Sequence, residues 1–167
     1  MPFVYGEFES ELTEEEQKII NQYKMEHVEK FGNRLVELSE HKHSKKSKYA
    51  HEFWEIYKTM LQMLENSDSE LVRHEVAFQF SRLSSSAVNT QYLTHVVKHD
   101  PSSTTRHEAA LALPLVVHPL LVVSTYAFLQ RRLEFEQERI VRESIEYSLR
   151  KLQPIVEKRC PEYFKKH

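Results

Sequence analysis

The sequence predicts an all-α fold, an α-solenoid of about four helical pairs. Only 2 of the 167 residues are glycine, where about 7% is usual. Apolar residues recur at helical spacing along most of the chain, and one short pattern returns at intervals of 33 and 36 residues. Two glycines are too few to build the Gly-rich loops of nucleotide-binding folds and kinases, so those classes of protein are excluded. A β-rich fold would also need more glycines in its turns.

Two long helices are predicted in the first part of the chain. Thr13 and Glu16 have the spacing of a capping box, in which each side chain bonds the backbone N–H of the other residue. Behind this cap, apolar residues at helical spacing predict a helix over about residues 14–39, with a bend near Gly32. A second helix is predicted over about residues 47–66, from the same periodicity.

The rest of the sequence is repetitive. Three similar segments, each predicted to open a helix, contain Arg73, Arg106 and Arg142. The helices between them are expected over about residues 86–99 and 119–133. Two helices in a period of 30 to 40 residues are typical of HEAT or armadillo repeats. The turn at residues 100–103 is interpreted as a boundary between repeats.

The whole chain, residues 1–167, is therefore predicted to form a single HEAT-like helical-repeat domain. Its repeats that carry the motif cover about residues 69–152. Residues 1–12 are expected to form an N-terminal tail, and the basic stretch 41–49 a polar loop. A short last helix over about residues 154–165 is expected to act as the polar end cap that repeat arrays need.

Two of the repeated segments carry a His-Glu pair at the same position. The pairs are His74-Glu75 and His107-Glu108, and equivalent positions of successive repeats lie about 8–10 Å apart. Two imidazoles and two carboxylates in one patch would suit Fe, Mn or Zn, and a site of two His and one carboxylate is typical of non-haem iron enzymes. The alternative is that the arginines are structural and that the His-Glu pairs lie on ordinary helix faces.

The Arg-His-Glu segments, 33 residues apart, resemble the motifs of deoxyhypusine hydroxylase over about residues 69–152. That family is a HEAT-repeat di-iron monooxygenase family, which completes hypusine on a lysine of a translation factor. The resemblance implies that His74, Glu75, His107 and Glu108 form the metal-binding set, with Glu75 and Glu108 as the catalytic carboxylates. Glu75 would lie beside the metal or the substrate amine.

The chain departs from that family in two respects. It carries two His-Glu motifs where the family carries four, so a homodimer is expected to complete the centre, with one iron per chain. It also lacks the Ala-Leu-Gly with which the family ends its motif helices. The sequence therefore leaves two functions open, an iron-dependent hydroxylase acting on a lysine or other amine of a protein substrate, and a non-catalytic scaffold that binds proteins.

Charge and hydropathy limit the expected partners and compartment. Lys and Arg number 23 and Asp and Glu 25, for a formal net charge of −2, which gives no general attraction to nucleic acid or membranes. The longest apolar run, about residues 110–123, is broken by Pro114 and Pro119 and is too short for a bilayer span. A single cysteine, Cys160, favours a reducing compartment, and we expect the protein in the cytoplasm.

Overall fold

The computed structural model describes residues 13–39 and 47–166, and all the regular structure in these ranges is helical. The all-α prediction is confirmed. The predicted tail, residues 1–12, and most of the predicted loop 41–49 lie outside the described residues. The helices are α1 Glu14–Ser39, α2 Ser47–Asn66, α3 Glu70–Phe80, α4 Ala87–His99, α5 Ser103–Val116, a 3-10 helix Pro119–Leu121, α6 Val122–Phe135, α7 Arg139–Arg159 and α8 Glu162–Lys166.

Hydroxyl side chains begin four of the helices. Thr13 Oγ1 accepts from the Glu16 backbone N–H at 3.2 Å, and a Glu16 carboxylate oxygen accepts from the Thr13 N–H at 3.2 Å, so the predicted capping box is confirmed. Serines cap α3, α4 and α5 in the same way. These bonds satisfy backbone donors that a helix start leaves without a partner.

The packing divides the chain into two compact units, Met1–Leu83 and Ser84–His167. In the first unit, α1, α2 and α3 each pack against the other two. The buried side chains of this three-helix core include Leu35, Met60, Val76 and Phe80. Across its edge, Arg34 of α1 bonds both carboxylate oxygens of Glu52 on α2, at 2.7 and 2.9 Å.

In the second unit, α5 packs against both α4 and α7, and α6 packs against α7. The turn at residues 100–103, predicted as a boundary between repeats, joins α4 to α5, which are packed neighbours. So short a connection favours antiparallel packing of the helices that it joins. The helix pairs of this unit are thus α4 with α5 and α6 with α7.

The predicted last helix over residues 154–165 is wrong in its bounds. Helix α7 continues through Pro154 to Arg159, and the break comes at Cys160, before α8. Pro154 is exposed, whereas Leu152 and Val156 on either side of it are fully buried. The packing of these two side chains holds the helix together although proline removes one of its hydrogen bonds.

No helix in the two described ranges combines the length and the apolar character that crossing a bilayer requires.

Candidate functional site

The three repeated arginines make the same contact. In each, Nη1 donates to the carbonyl oxygen of the residue six positions earlier, at the end of the preceding helix. These bonds join Arg73 to Ser67 at 2.7 Å, Arg106 to Asp100 at 2.8 Å and Arg142 to Glu136 at 2.9 Å. A charged donor on a carbonyl left over at a helix end is a stabilising cap. The structural interpretation of the arginines therefore holds, and they fix the start of each motif helix.

Arg106 also forms an ion pair with Glu136, which the sequence analysis did not single out. Arg106 Nε and Nη2 lie 3.2 and 3.1 Å from the two carboxylate oxygens of Glu136, whose side chain is only 2% exposed. Arg132 adds a third contact at 3.3 Å. Burial by itself would raise the pKa of Glu136, but the bonds from Arg106 and from the Glu138 backbone N–H outweigh it and hold that pKa below its usual value.

The first His-Glu pair lies on α3, in the first unit, and both side chains are half-buried. Glu75 Oε1 accepts from Gln79 Nε2 at 2.9 Å, and Gln79 Oε1 in turn accepts from Arg82 at 2.7 Å. Arg82 also donates to Asn33 of α1 at 2.8 Å. Glu75 thus belongs to a polar chain that ties α3 to α1.

The second pair lies on α5, in the second unit, and there His107 contacts α7. Its Nδ1 atom is hydrogen-bonded to the Ser144 hydroxyl, and that hydroxyl donates its own proton to the Ile140 carbonyl oxygen at 2.7 Å. A serine has one proton to donate, so Nδ1 of His107 must be the donor in their shared bond. In the neutral ring the lone pair is then on Nε2, the atom that a metal would take.

The four predicted ligands thus fall into two separately packed units, with His74 and Glu75 in one and His107 and Glu108 in the other. Among residues 13–39 and 47–166, no three His, Cys, Asp or Glu side chains lie close enough together to hold a metal ion. Neither His-Glu pair completes an iron site by itself.

On two of the motif helices, α3 and α7, exposed apolar side chains lie on the same face as the His-Glu position. Residues spaced 0, 3, 4 and 7 apart project to one side of a helix. Leu71 on α3 and Ile140 on α7 lie two residues before the repeated arginine of each helix, and their side chains are 49% and 43% exposed. Five residues after that arginine stand Phe78 and Tyr147, 43% and 41% exposed.

Helix α5 presents a related face. Leu111, at the position equivalent to Phe78 and Tyr147, is half-buried, and Leu115, four residues on, is 65% exposed. Exposed apolar residues therefore recur in register with the motif on α3 in one unit and on α7 in the other, whereas on α5 the first position of the register is the polar Thr104. Scattered single exposed apolar residues are ordinary, whereas a contiguous exposed apolar patch is typical of an interaction surface.

His95 and His99, one turn apart on α4, have ring centroids 4.6 Å apart. Desolvation lowers the pKa of His99 first, followed by the charges of His95, Lys98 and Arg132. Cations around this pair disfavour a metal ion there.

Comparison with protein-family models, with curated proteins and with solved structures finds no match for the chain.

Sequence reasoning missed Ser144 and Glu136. Ser144 had a signal, because it occupies in the third segment the position of Glu75 and Glu108. Glu136 had none, since it lies 30 residues from the Arg106 that it binds.

Proposed function

We propose that this protein is a non-catalytic helical-repeat scaffold in which α3 and α7 each bind, on their own exposed face, a helical segment of another protein. The observation that carries the proposal is the recurrence of Leu71 and Phe78 on α3 as Ile140 and Tyr147 on α7, all exposed and in the same register. Core positions repeat because packing requires it. Solvent-exposed apolar positions gain nothing from the fold itself, so a repeat among them favours a shared binding role.

The spacing of these residues fits a helix as the occupant. The members of each pair are seven residues apart, which is two turns and about 10.5 Å along the axis. An amphipathic helix presents apolar anchors at that same interval and binds by laying its apolar face into a groove. Aromatic residues such as Phe78 and Tyr147 are frequent energetic centres of such contacts.

The test is a selection of binding peptides from a random library against the full chain, followed by variants of the surface. We expect the selected peptides to place apolar residues at helical intervals. The double variant Phe78→Ser/Tyr147→Ser should lose at least tenfold of their affinity, the scale of one lost hot spot. The matched control is Val88→Ser/Phe135→Ser, which removes two apolar side chains, 40% and 63% exposed, from α4 and α6.

The control variant should bind as the unmodified chain does. Peptides that bind both double variants equally would contradict the proposal, as would a selection that enriches nothing.

A second candidate, an iron-dependent hydroxylase similar to deoxyhypusine hydroxylase, is supported by the ring of His107. Ser144 holds Nδ1 as a donor and leaves Nε2 as the ligand atom, which is the usual arrangement around a metal-bound histidine. Iron would be held by His74, His107 and Glu108, with Glu75 beside it, and would supply oxygen activation for hydroxylation of a lysine or other amine. A homodimer would bring four His-Glu pairs together.

This candidate is tested by metal analysis and light-scattering mass on protein purified with added iron. It predicts about one iron per chain in a dimer, and loss of that iron in His107→Ala but not in His51→Ala. A monomer that retains no metal under these conditions would exclude it.

A further inference from the structure

The exposed face of α7 extends well beyond the repeated motif. At 100° per residue, Ile140, Tyr147, Lys151, Pro154 and Lys158 point within about 40° of one direction. We call these five residues the α7 stripe. Its last two turns border a shallow groove of about 670 Å³, lined by Pro154, Ile155, Lys158 and Arg159. This exposed face thus continues over nearly the whole length of the helix, with apolar side chains and lysines alternating along it.

The groove is held in place by the neighbouring turn. Arg159 Nη1 donates to the carbonyl oxygen of Pro119 at 2.9 Å, which fixes the end of α7 to the 3-10 helix. Ile155, in the groove, is 42% exposed. A surface anchored in this way is already formed before a partner arrives, which lowers the entropy cost of binding.

The charges on this surface are cationic. Lys151 Nζ lies 5.5 Å from the centre of the Tyr147 ring, and Lys158 and Arg159 line the groove one to two turns further on. The acidic residue nearest the other end, Glu143, is already paired with Arg139 at 2.8 Å. The α7 stripe therefore combines apolar anchors with the positive charges of Lys151 and Lys158, which form no ion pair with any residue in the described part of the chain.

Building on the proposed function, we propose that the occupant of the α7 stripe is an acidic amphipathic helix of a partner protein. Its apolar residues lie along Ile140, Tyr147 and the groove at Pro154, and its carboxylates face Lys151 and Lys158. Lys151 and Lys158 lie on the same face as the apolar anchors, and opposite charges across such a contact raise the association rate and suppress wrong partners. The chemistry that selects the partner is thus the sign of its charge, added to the helical spacing of its anchors.

The experiment measures binding of two synthetic helices of about 18 residues to the full chain by fluorescence anisotropy. Both carry leucine at helical spacing, and their polar face is glutamate in one and lysine in the other. The acidic helix should bind at least tenfold more tightly than the basic one, with an affinity that falls as salt is added. Lys151→Glu/Lys158→Glu should lose about tenfold for the acidic helix and gain for the basic one.

The control for net charge is Lys58→Glu/Lys165→Glu, which reverses two exposed lysines on α2 and α8 and should leave the preference unchanged. Circular dichroism confirms that each variant keeps its helix content. Equal binding of the two helices, both lost in Tyr147→Ser, would overturn this inference and leave the proposed function standing. If neither synthetic helix binds, both this inference and the proposed function are overturned.

Tighter binding of single-stranded RNA or of phosphatidylserine vesicles than of the acidic helix, lost in Lys151→Glu/Lys158→Glu, would also overturn the assignment.

Discussion

Gly32 of α1 lies against the side chain of Gln79 on α3, so closely that a Cβ atom built on Gly32 would stand 2.9 Å from Gln79 Cγ and nearer still to its amide. Gln79 is buried and bonded to Glu75 and Arg82. The absence of a side chain at Gly32 therefore leaves the space that the buried Gln79 side chain occupies, and the bend expected there from the sequence stays a prediction. The shortage of glycine predicted the helical fold, and the one glycine in the described ranges has a packing reason.

Gly32→Ala is expected to destabilise the protein by about 1–3 kcal/mol, the usual cost of an overpacked core. In an exposed helix the same change would stabilise by about 1 kcal/mol, because alanine has the higher helix propensity. Urea denaturation followed by circular dichroism gives the free energy of unfolding.

In a Gln79→Ala background the added methyl group has room, so Gly32→Ala should become neutral or stabilising there. Stabilisation in the unmodified background would show that the contact between these two residues is wrong.

Glu136→Gln should destabilise the second unit by about 3 kcal/mol at pH 7, because it leaves two arginines without their buried carboxylate. The folded pKa of Glu136 is lowered, so its contribution is complete above the unfolded pKa, near 4.3. That contribution is lost as the pH falls through the folded value. The variant should therefore lose less stability than the unmodified chain when the pH falls below about 4.

The control is Glu143→Gln, which removes an exposed ion pair with Arg139 and should change the unfolding free energy at pH 7 by less than about 0.5 kcal/mol. A Glu136→Gln protein as stable as the unmodified chain at pH 7 would contradict the buried pair.

The repeated arginines, which bond the end of the preceding helix, should contribute far more to the free energy of unfolding than their exposed neighbours. Arg142→Met keeps most of the side-chain volume but removes the bonds to the carbonyl oxygens of Glu136 and Leu133, at 2.9 and 2.6 Å. We expect a loss of about 1.5–3 kcal/mol, the scale of a hydrogen bond to a charged group. Arg139→Met, at a side chain 91% exposed, should stay within about 0.5 kcal/mol. If thermal unfolding shows that Arg142→Met and Arg139→Met lower stability equally, the stabilising role of the Arg142 bonds is contradicted.

The tautomer of His107 can be read directly by ¹⁵N NMR of its ring. The bond to Ser144 predicts the Nδ1–H form of the neutral ring, in contrast to the Nε2–H form that free histidine prefers. Ser144→Ala removes the acceptor and should shift the ring toward Nε2–H. If the His107 ring of the unmodified protein is already in the Nε2–H form, the Nδ1–H assignment is wrong. The support for Nε2 of His107 as a metal ligand is then lost as well.

Local features of the fold could be predicted from the sequence. The capping box of Thr13 and Glu16 and the extents of α1 and α2 depend on residues near each other in the chain, and they were predicted correctly. The continuation of α7 through Pro154 could not be predicted, because it depends on how Leu152 and Val156 pack against distant helices. The interpretation of the turn at residues 100–103 as a repeat boundary stays a prediction, because α5 packs on both α4 and α7.

The candidate sites show the same limit. The positions of the four His and Glu residues in equivalent places of α3 and α5 followed from the repeat. Which atom of His107 is bonded, and to what, depends on Ser144 of α7, 37 residues away. The exposed apolar register was visible only once burial separated Phe78 and Tyr147 from the apolar residues of the core.

The central claim is that the faces of the motif helices bind an amphipathic helix, and chemical-shift mapping tests it most directly. A ¹⁵N-labelled chain titrated with a selected helical peptide should show its largest shifts around Leu71 and Phe78 on α3 and around Ile140 and Tyr147 on α7. Shifts confined to α4 and α6, or saturable binding that leaves the signals of residues around Phe78 and Tyr147 unchanged, would contradict the proposed function.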